Sequence, residues 1–356
     1  VLDLSPTAVV ARVDESIVAA LDAASDSIAP LGAHADDLLG PLAAASRGGK
    51  RLRAQLLVTA HAAHGGSDVA VFGAAAAVEW FQTAALIHDD VLDGSDTRRG
   101  APAAHRRFEA LHRDRGLDGD AVAFGSASAI LAGDIALMIA QRALAYACAP
   151  HRDGARAMTL FAEMAELCTA GQYLDMRIAA EPLDALDGLE DQILATMRSK
   201  TASYSCEHPL AIGAALAGAT DAQVQAMREI GVPLGIAFQL RDDVLGLVGD
   251  PAVTGKPAGD DVREGKRTLL VQHAWTHGDD ATRDAVRAAL GVEDIDAAAL
   301  ARAVDAITAS GALEAAESRI DALARPALDA LAALELEATA RDRLLELGRR
   351  LTARDA

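Results

Sequence analysis

Asp89, Asp90 and Asp93 close an apolar stretch that ends Ala85-Leu86-Ile87-His88. On a helix of ~3.6 residues per turn, positions four apart project within about 40° of each other, so Asp89 and Asp93 share a face. Left alone, the two carboxylates repel. Hard oxygens one turn apart suit Mg2+, which keeps several waters and takes one or two carboxylates together with phosphate oxygens of a substrate. Asp96, Arg98, Arg99 and Gly100 follow at once. A divalent metal bridging phosphate oxygens, beside guanidiniums that hold the rest in bidentate fashion, would stabilise a departing diphosphate. The tetrapeptide Asp-Asp-Val-Leu returns at 242–245, behind Gln239-Leu240-Arg241 and ahead of Gly255-Lys256 and Gly265-Lys266. A third basic site lies upstream in Gly48-Gly49-Lys50-Arg51-Leu52-Arg53. There the glycines open a helix whose free N–H groups, with Lys50, Arg51 and Arg53 in the first turn, would bind an anion. The spacing is not that of a nucleotide P-loop.

The lysines carry a second signal. Of 33 basic residues only four are lysine, at 50, 200, 256 and 266. An ammonium is a compact point charge and a guanidinium a wide planar fork, so a tight phosphate pocket can require the former where arginine is used everywhere else. The formal charge of −19 excludes a nucleic-acid surface, which needs a basic face. It leaves room for a local basic pocket, because charges are screened over ~8 Å. With 51% apolar and 24% charged residues, the chain is globular rather than disordered. No uninterrupted apolar run reaches the ~18 residues of a membrane span, and Val1 to Ile17 carries acids rather than a basic leader; a cytoplasmic protein with no membrane span is expected. Cys148, Cys168 and Cys206 are widely spaced and are expected to be buried thiols.

The elements that position these groups are helices. Apolar residues recur at three- and four-residue intervals in Val9 to Ala24, Ala54 to Ala63 and Leu323 to Leu351, with glycine and proline turns between segments of ordinary length. We therefore expect an all-α chain, with residues 1–356 as a single domain and the amphipathic 323–351 segment packed in the bundle. Both acid pairs stand near the C-terminal ends of apolar helices, where the helix dipole disfavours them, so cations should compensate. His61 and His64 have no third ligand and are expected to be ordinary packed histidines. His88 is expected to hydrogen-bond one of the neighbouring aspartates.

Taken in order, the segments GGKRLR, Glu79-x-x-Gln82, the first aspartate motif with Arg98-Arg99, Gly171-Gln172-Tyr173-x-Asp175, Lys200-Thr201, Phe238-Gln239-x-x-Asp242-Asp243, and Gly255-Lys256 through Gly265-Lys266 span positions 49–268. The chain resembles the trans-isoprenyl diphosphate synthases of the geranylgeranyl and farnesyl type. The resemblance implies a helical bundle of the isoprenoid synthase kind around an apolar cavity, a homodimer, and a Mg2+-dependent condensation of isopentenyl diphosphate with allylic diphosphates. It assigns Gly49, Lys50, Arg53, Gln82 and Arg99 to isopentenyl diphosphate, and Arg98, Lys200, Lys256 and Lys266 to the allylic diphosphate. Asp89 and Asp93 would bind two Mg2+ ions and Asp242 a third, with Asp90 and Asp243 standing behind them. Thr201, Gln239 and the backbone near Lys200 would face the developing cation.

One position departs from the pattern: Gly246 stands where many relatives carry a third aspartate, and Asp250 could contribute in part in its place. The segment Gly249 to Gly259 is a candidate lid. Product length follows from the helix before Asp89, along which the growing tail should run at ~1.5 Å per residue. Ala84 and Ala85 are too small to stop it, which favours a C20 product over C15, with Phe81, Leu137 or Met138 as a deeper floor. A terpene cyclase is disfavoured by Lys50, Arg53 and Gln82 and by the few aromatics, two tryptophans, three tyrosines and six phenylalanines. A non-catalytic partner subunit is disfavoured by the intact Asp89, Asp90 and Asp93.

Overall fold

Alanine and leucine lose little side-chain freedom in a helix, and they build sixteen α-helices among the described residues. The computed structural model describes residues 2–249, 258–292 and 294–353. The chain divides into two compact units, Val1–Leu160 with Ala211–Asp221 and Leu336–Ala340, and Phe161–Leu210 with Ala222–Glu335 and Arg341–Ala356. Each is described by itself.

The first unit holds α1 (Pro6–Ile28), α2 (Ala33–Ser46), α3 (Leu52–Ala63), α4 (Val71–Leu92), α5 (Ala104–Asp114) and α6 (Ala121–Cys148), and the start of α7 (Gly154–Ala179). Helix α4 is its core: Ala74 to Trp80, Ala84 and Ile87 are buried. It packs along α6, whose Ala129, Ala132, Ala136 and Ala140 are buried in turn. Small side chains let these two helices come close. A Cβ on Gly73 would already lie 3.2 Å from that of Ala147, and one on Gly125 would strike the His105 carbonyl of α5 at 2.5 Å. Asp120 caps α6, accepting from the N–H groups of Val122 (2.9 Å) and Ala123 (3.3 Å).

By length and apolarity alone, α6 is the one helix among the described residues that could cross a membrane; a third of its apolar window, 33%, is buried. Ser126, Ser128 and Asp134 interrupt it, which is why the sequence has no unbroken apolar run. Its outer face exposes Ile130, Leu131 and Met138. Met138 is 56% exposed, so the expectation that it could floor a cavity is corrected: it faces outward.

The expected all-α architecture has one addition. Thr97–Arg98 (β1) pairs antiparallel with Ala101–Pro102 (β2), Thr97 opposite Pro102 and Arg98 opposite Ala101. The two-residue turn, Arg99-Gly100, has positive φ at both positions (54° and 71°), the geometry that matches strand twist in tight hairpins.

The second unit contains the rest of α7, α8 (Glu190–Thr196), a π-helical stretch Met197–Glu207, the start of α9 (His208–Leu216) and nearly all of α10 (Asp221–Val248). After α10 come the short helix Asp260–Arg263 and the helix Leu269–His277. The 323–351 segment resolves into parts of two helices, Ala312–Ala333 and Ala338–Thr352, with Leu331, Leu344, Leu347 and Leu351 buried as expected. Three glycines admit the π-helical stretch: a Cβ on Gly171 would lie 2.3 Å from the Lys200 nitrogen, one on Gly231 2.5 Å from Glu207 Cα, and one on Gly235 2.5 Å from Ala202 Cα. At its end, Glu207 is 1% exposed and accepts hydrogen bonds from Arg198 Nη2 (3.0 Å) and Arg228 Nε (2.9 Å). The three cysteines are buried thiols, as expected.

Candidate functional site

In the first unit, the last two turns of α4 carry the first acid group. Asp89 is partly exposed, whereas Asp90 is buried. Asp93 caps the helix and donates its N–H to the Asp89 carbonyl at 2.8 Å, which keeps both carboxylates on one turn. The expected compensating cation is Arg98. Its Nε donates to Asp90 Oδ1 at 2.8 Å, and its Nη2 bonds the same oxygen and approaches Asp89 Oδ2 at 3.6 Å. Burial raises the Asp90 pKa, against the pull of Arg98. Asp90 is thus engaged by arginine, while Asp89 and Asp93 form the outer carboxylate pair. Asp96 holds the start of α5 by accepting from Arg106 Nε at 2.7 Å.

His88 does not turn to the aspartates, contrary to expectation. Its Nε2 lies 3.1 Å from the Ile130 carbonyl and 3.6 Å from Asp134, and Gly133 makes the room: a Cβ there would meet the ring at 2.2 Å.

The basic segment also differs in detail. Helix α3 begins at Leu52, so Lys50 precedes it, Arg51 is its N-cap, and only Arg53 of the three lies in its first turn. Arg51 adopts φ 51° and is buried. Its Nε donates to Asp14 (2.9 Å), its Nη1 to Glu79 (3.2 Å) and its Nη2 to the Ser46 carbonyl (2.8 Å). Glu79 also accepts from the Ala54 N–H at 3.3 Å, capping α3 from α4. Arg51 is therefore a structural cation that fixes the turn, with Lys50 exposed beside it. The sequence quoted Glu79 only as part of a motif; its partner in sequence terms is 28 residues away.

Arg99 reaches back from the hairpin to the same turn and donates to the Arg47 carbonyl at 2.8 Å. Its Nη2 would lie 3.1 Å from a Cβ on Gly49, so that glycine makes room for a guanidinium. Loss of water around its head, then the like charge of Arg51, against Glu79, and of Arg98 and Arg53, lowers the Arg99 pKa. Crowded guanidiniums of this kind call for an anion. Phe81, Gln82, Ala84 and Ala85 all lie on α4, with Phe81 and Ala84 buried.

In the second unit, Lys200 and Thr201 lie in the π-helical stretch, a common feature of functional sites. Lys200 Nζ donates to Asp175 Oδ2 at 2.5 Å, and its carbonyl accepts from Cys168 Sγ at 3.3 Å. Thr201 Oγ1 donates to Gln239 Oε1 at 2.6 Å, and Gln239 Nε2 donates to Asp243 Oδ1 at 2.6 Å. Two of the groups singled out for the cation, Thr201 and Gln239, thus form one hydrogen-bonded run that ends on the buried Asp243 carboxylate. Burial drives the Asp243 pKa well above the usual carboxylate range; Asp261 and Asp242 add to the rise, and Gln239 and Lys266 oppose it. Asp242 next to it is exposed. Arg241, between the two motif elements, is held by both oxygens of Glu317 at 2.5 and 2.8 Å and supports α10. Lys266 bonds Glu264 and stands 3.8 Å from Asp261. Lys256, Asp250 and most of the 249–259 segment lie outside the described residues.

Comparison with known proteins agrees with this residue pattern. The family described as Polyprenyl synthetase matches residues 38–307. A geranylgeranyl diphosphate synthase of Sulfolobus acidocaldarius is 36% identical over 226 residues, 63% of this chain and 62% of its own length. The chain thus spans less than two thirds of that relative. A geranylfarnesyl diphosphate synthase of Aeropyrum pernix is 36% identical over 80% of this chain and 86% of its own. Among solved structures, geranylgeranyl pyrophosphate synthase from Corynebacterium glutamicum, complexed with isoprenyl diphosphate and magnesium, superposes with a TM-score of 0.91 at 37% identity, covering 99% of this chain and 100% of that one. The match takes in both aspartate groups, the hairpin arginines and the basic turn before α3, and with them the chain belongs to the polyprenyl synthetase family.

Proposed function

We propose that the chain, acting as a single isoprenoid synthase domain, is a Mg2+-dependent trans-prenyltransferase. It joins isopentenyl diphosphate head to tail (1'-4) to allylic diphosphates and releases geranylgeranyl diphosphate (C20). The observation that carries this reading is the pairing, within one unit, of an outer carboxylate pair (Asp89, Asp93) with crowded guanidiniums (Arg98, Arg99) beside Gly49 and Lys50. The donor set fits Mg2+: oxygen ligands only, with Asp90 engaged by Arg98. Asp89 and Asp93 would hold two ions and Asp242 a third, and Mg2+ held there would offset the charge of the departing diphosphate.

Lys50, Arg53, Gln82 and Arg99 hold isopentenyl diphosphate. Arg98, Lys200, Lys256 and Lys266 hold the allylic diphosphate, for which Arg98, Lys200 and Lys266 exchange their carboxylate partners. The allylic C–O bond breaks and leaves a carbocation. The Lys200 carbonyl and the oxygens of Thr201 and Gln239 face that charge, preorganised by the Thr201–Gln239–Asp243 run. The double bond of isopentenyl diphosphate then attacks, and the departing pyrophosphate takes the proton released. The tail runs down α4 past Ala84 and Ala85. Two copies pair through the apolar face of α6.

The test is mass-spectrometric product analysis with Mg2+, isopentenyl diphosphate and C5, C10 or C15 allylic starters. A C20 diphosphate is expected, and Ala84→Phe or Ala85→Phe should shorten it. C15 alone from the wild type would keep the chemistry and overturn the chain length. A cyclic hydrocarbon made without isopentenyl diphosphate, or no turnover by folded protein, would overturn the reading.

A further inference from the structure

The glycine at 246 leaves the second acid group without a carboxylate one turn beyond Asp242, yet the space beside it is taken. A Cβ built on Gly246 would lie 2.5 Å from Asp261 Oδ2 and 3.1 Å from its carboxyl carbon. The Asp261 carboxylate therefore sits where a side chain at 246 would have to begin. Its placement is fixed on both sides. The Gly246 carbonyl accepts from the Gly259 N–H at 3.0 Å, and Gly259, at φ 78°, starts the helix Asp260–Arg263 against α10. The Asp261 carbonyl accepts from the Lys266 N–H at 2.9 Å, and its Oδ1 stands 3.8 Å from Lys266 Nζ. Asp261 and Lys266 thus stand together at the end of α10, against Gly246 and one turn beyond Asp242.

We propose that Asp261 is a positioning residue of the second acid group: from a separate short helix it supplies the carboxylate that position 246 lacks, and Gly246 is required because any side chain there would displace it. The inference rests on the reading of Asp242 as a Mg2+ ligand. Asp261 acts through the waters and charges around that ion and through Lys266, so its loss should change metal affinity more than folding. The two positions should also be exchangeable, because a carboxylate placed at 246 can enter the volume that Asp261 vacates.

The experiment compares wild type, Asp261→Ala, Asp261→Asn, Gly246→Asp and the double variant Gly246→Asp/Asp261→Ala. Each is titrated with Mg2+ at fixed inorganic pyrophosphate while its melting temperature is followed, and the Mg2+ dependence of turnover is recorded beside it. Both Asp261 variants should need about tenfold more Mg2+ for half-maximal stabilisation, as losses behind a metal ligand commonly do. Gly246→Asp alone should be impaired, with two carboxylates competing for one place. The double variant should return to within about threefold of wild type, the non-additivity expected of neighbours. Wild-type titration of the Asp261 variants would overturn the proposal, and so would a double variant no better than Asp261→Ala. Asp261→Asn preserves shape and decides the matter if the alanine variant misfolds. If wild type itself shows no Mg2+-linked stabilisation with pyrophosphate, the prenyl-transfer reading falls and this inference with it; if wild type responds and the Asp261 variants respond alike, only the inference falls.

Discussion

His61 lies outside the chemistry and still sets a property of the protein. It is 1% exposed, a Cβ on Gly66 would meet its Nε2 at 2.3 Å, and the His151 ring stands edge-on at 6.1 Å. Burial, then the nearby His151, lowers its pKa to about 4 from the ordinary 6.5. The unfolded chain therefore takes up a proton on His61 as the pH falls below 6.5, while the folded chain resists until about 4. Stability from this residue is whole above pH ~6.5 and declines by about 3 kcal/mol down to pH ~4. Urea unfolding across that range should show the decline, and His61→Gln should flatten it. An equal slope in both proteins would assign the acid sensitivity to other groups.

Elements set how closely the groups of the second unit approach. Gly171 on α7 faces the Lys200 backbone with no room for a methyl group. Gly171→Ala should cost about 2 kcal/mol in urea unfolding, as overpacking does. It should also lower turnover beyond that loss, because Lys200 and Thr201 are what α7 would push aside; a variant with wild-type stability and activity would remove the argument. At this level the sequence was readable where local pattern decides. The helices, the Asp89–Asp93 face and the need for a cation near Asp90 follow from periodicity and the dipole. The hairpin did not, since two-residue strands leave no alternation to detect, although Arg99-Gly100 is a turn pair in hindsight. The π-helical stretch around Lys200 has no propensity signature and arises from packing against three glycines of other helices. Arg51 was grouped with the anion-binding cations, and its burial against Asp14 and Glu79 depends on residues far along the chain.

For the whole molecule, the exposed Ile130, Leu131 and Met138 on α6 form an apolar face on a chain of formal charge −19. A second copy covering that face predicts that light scattering gives twice the chain mass, and that Leu131→Glu/Met138→Glu halves it. A wild-type monomer would overturn the dimer. The division of the chain carries a different consequence, for synthesis. The first unit is completed by 211–221 and by 336–340, whose Glu337 N–H bonds the Ala63 carbonyl at 2.9 Å, and the second by residues from 341 onward. Chains emerge from the ribosome N-terminus first, at ~5–20 residues per second. Neither unit can therefore close until the helix Ala338–Thr352 is made, and a nascent chain stopped before residue 336 leaves both without the buried Ala340, Leu344, Leu347 and Leu351. Closure of both units thus waits on residues 336–353, and a chain truncated at residue 335 should be bound by chaperones and cut by protease where the longer chain is not.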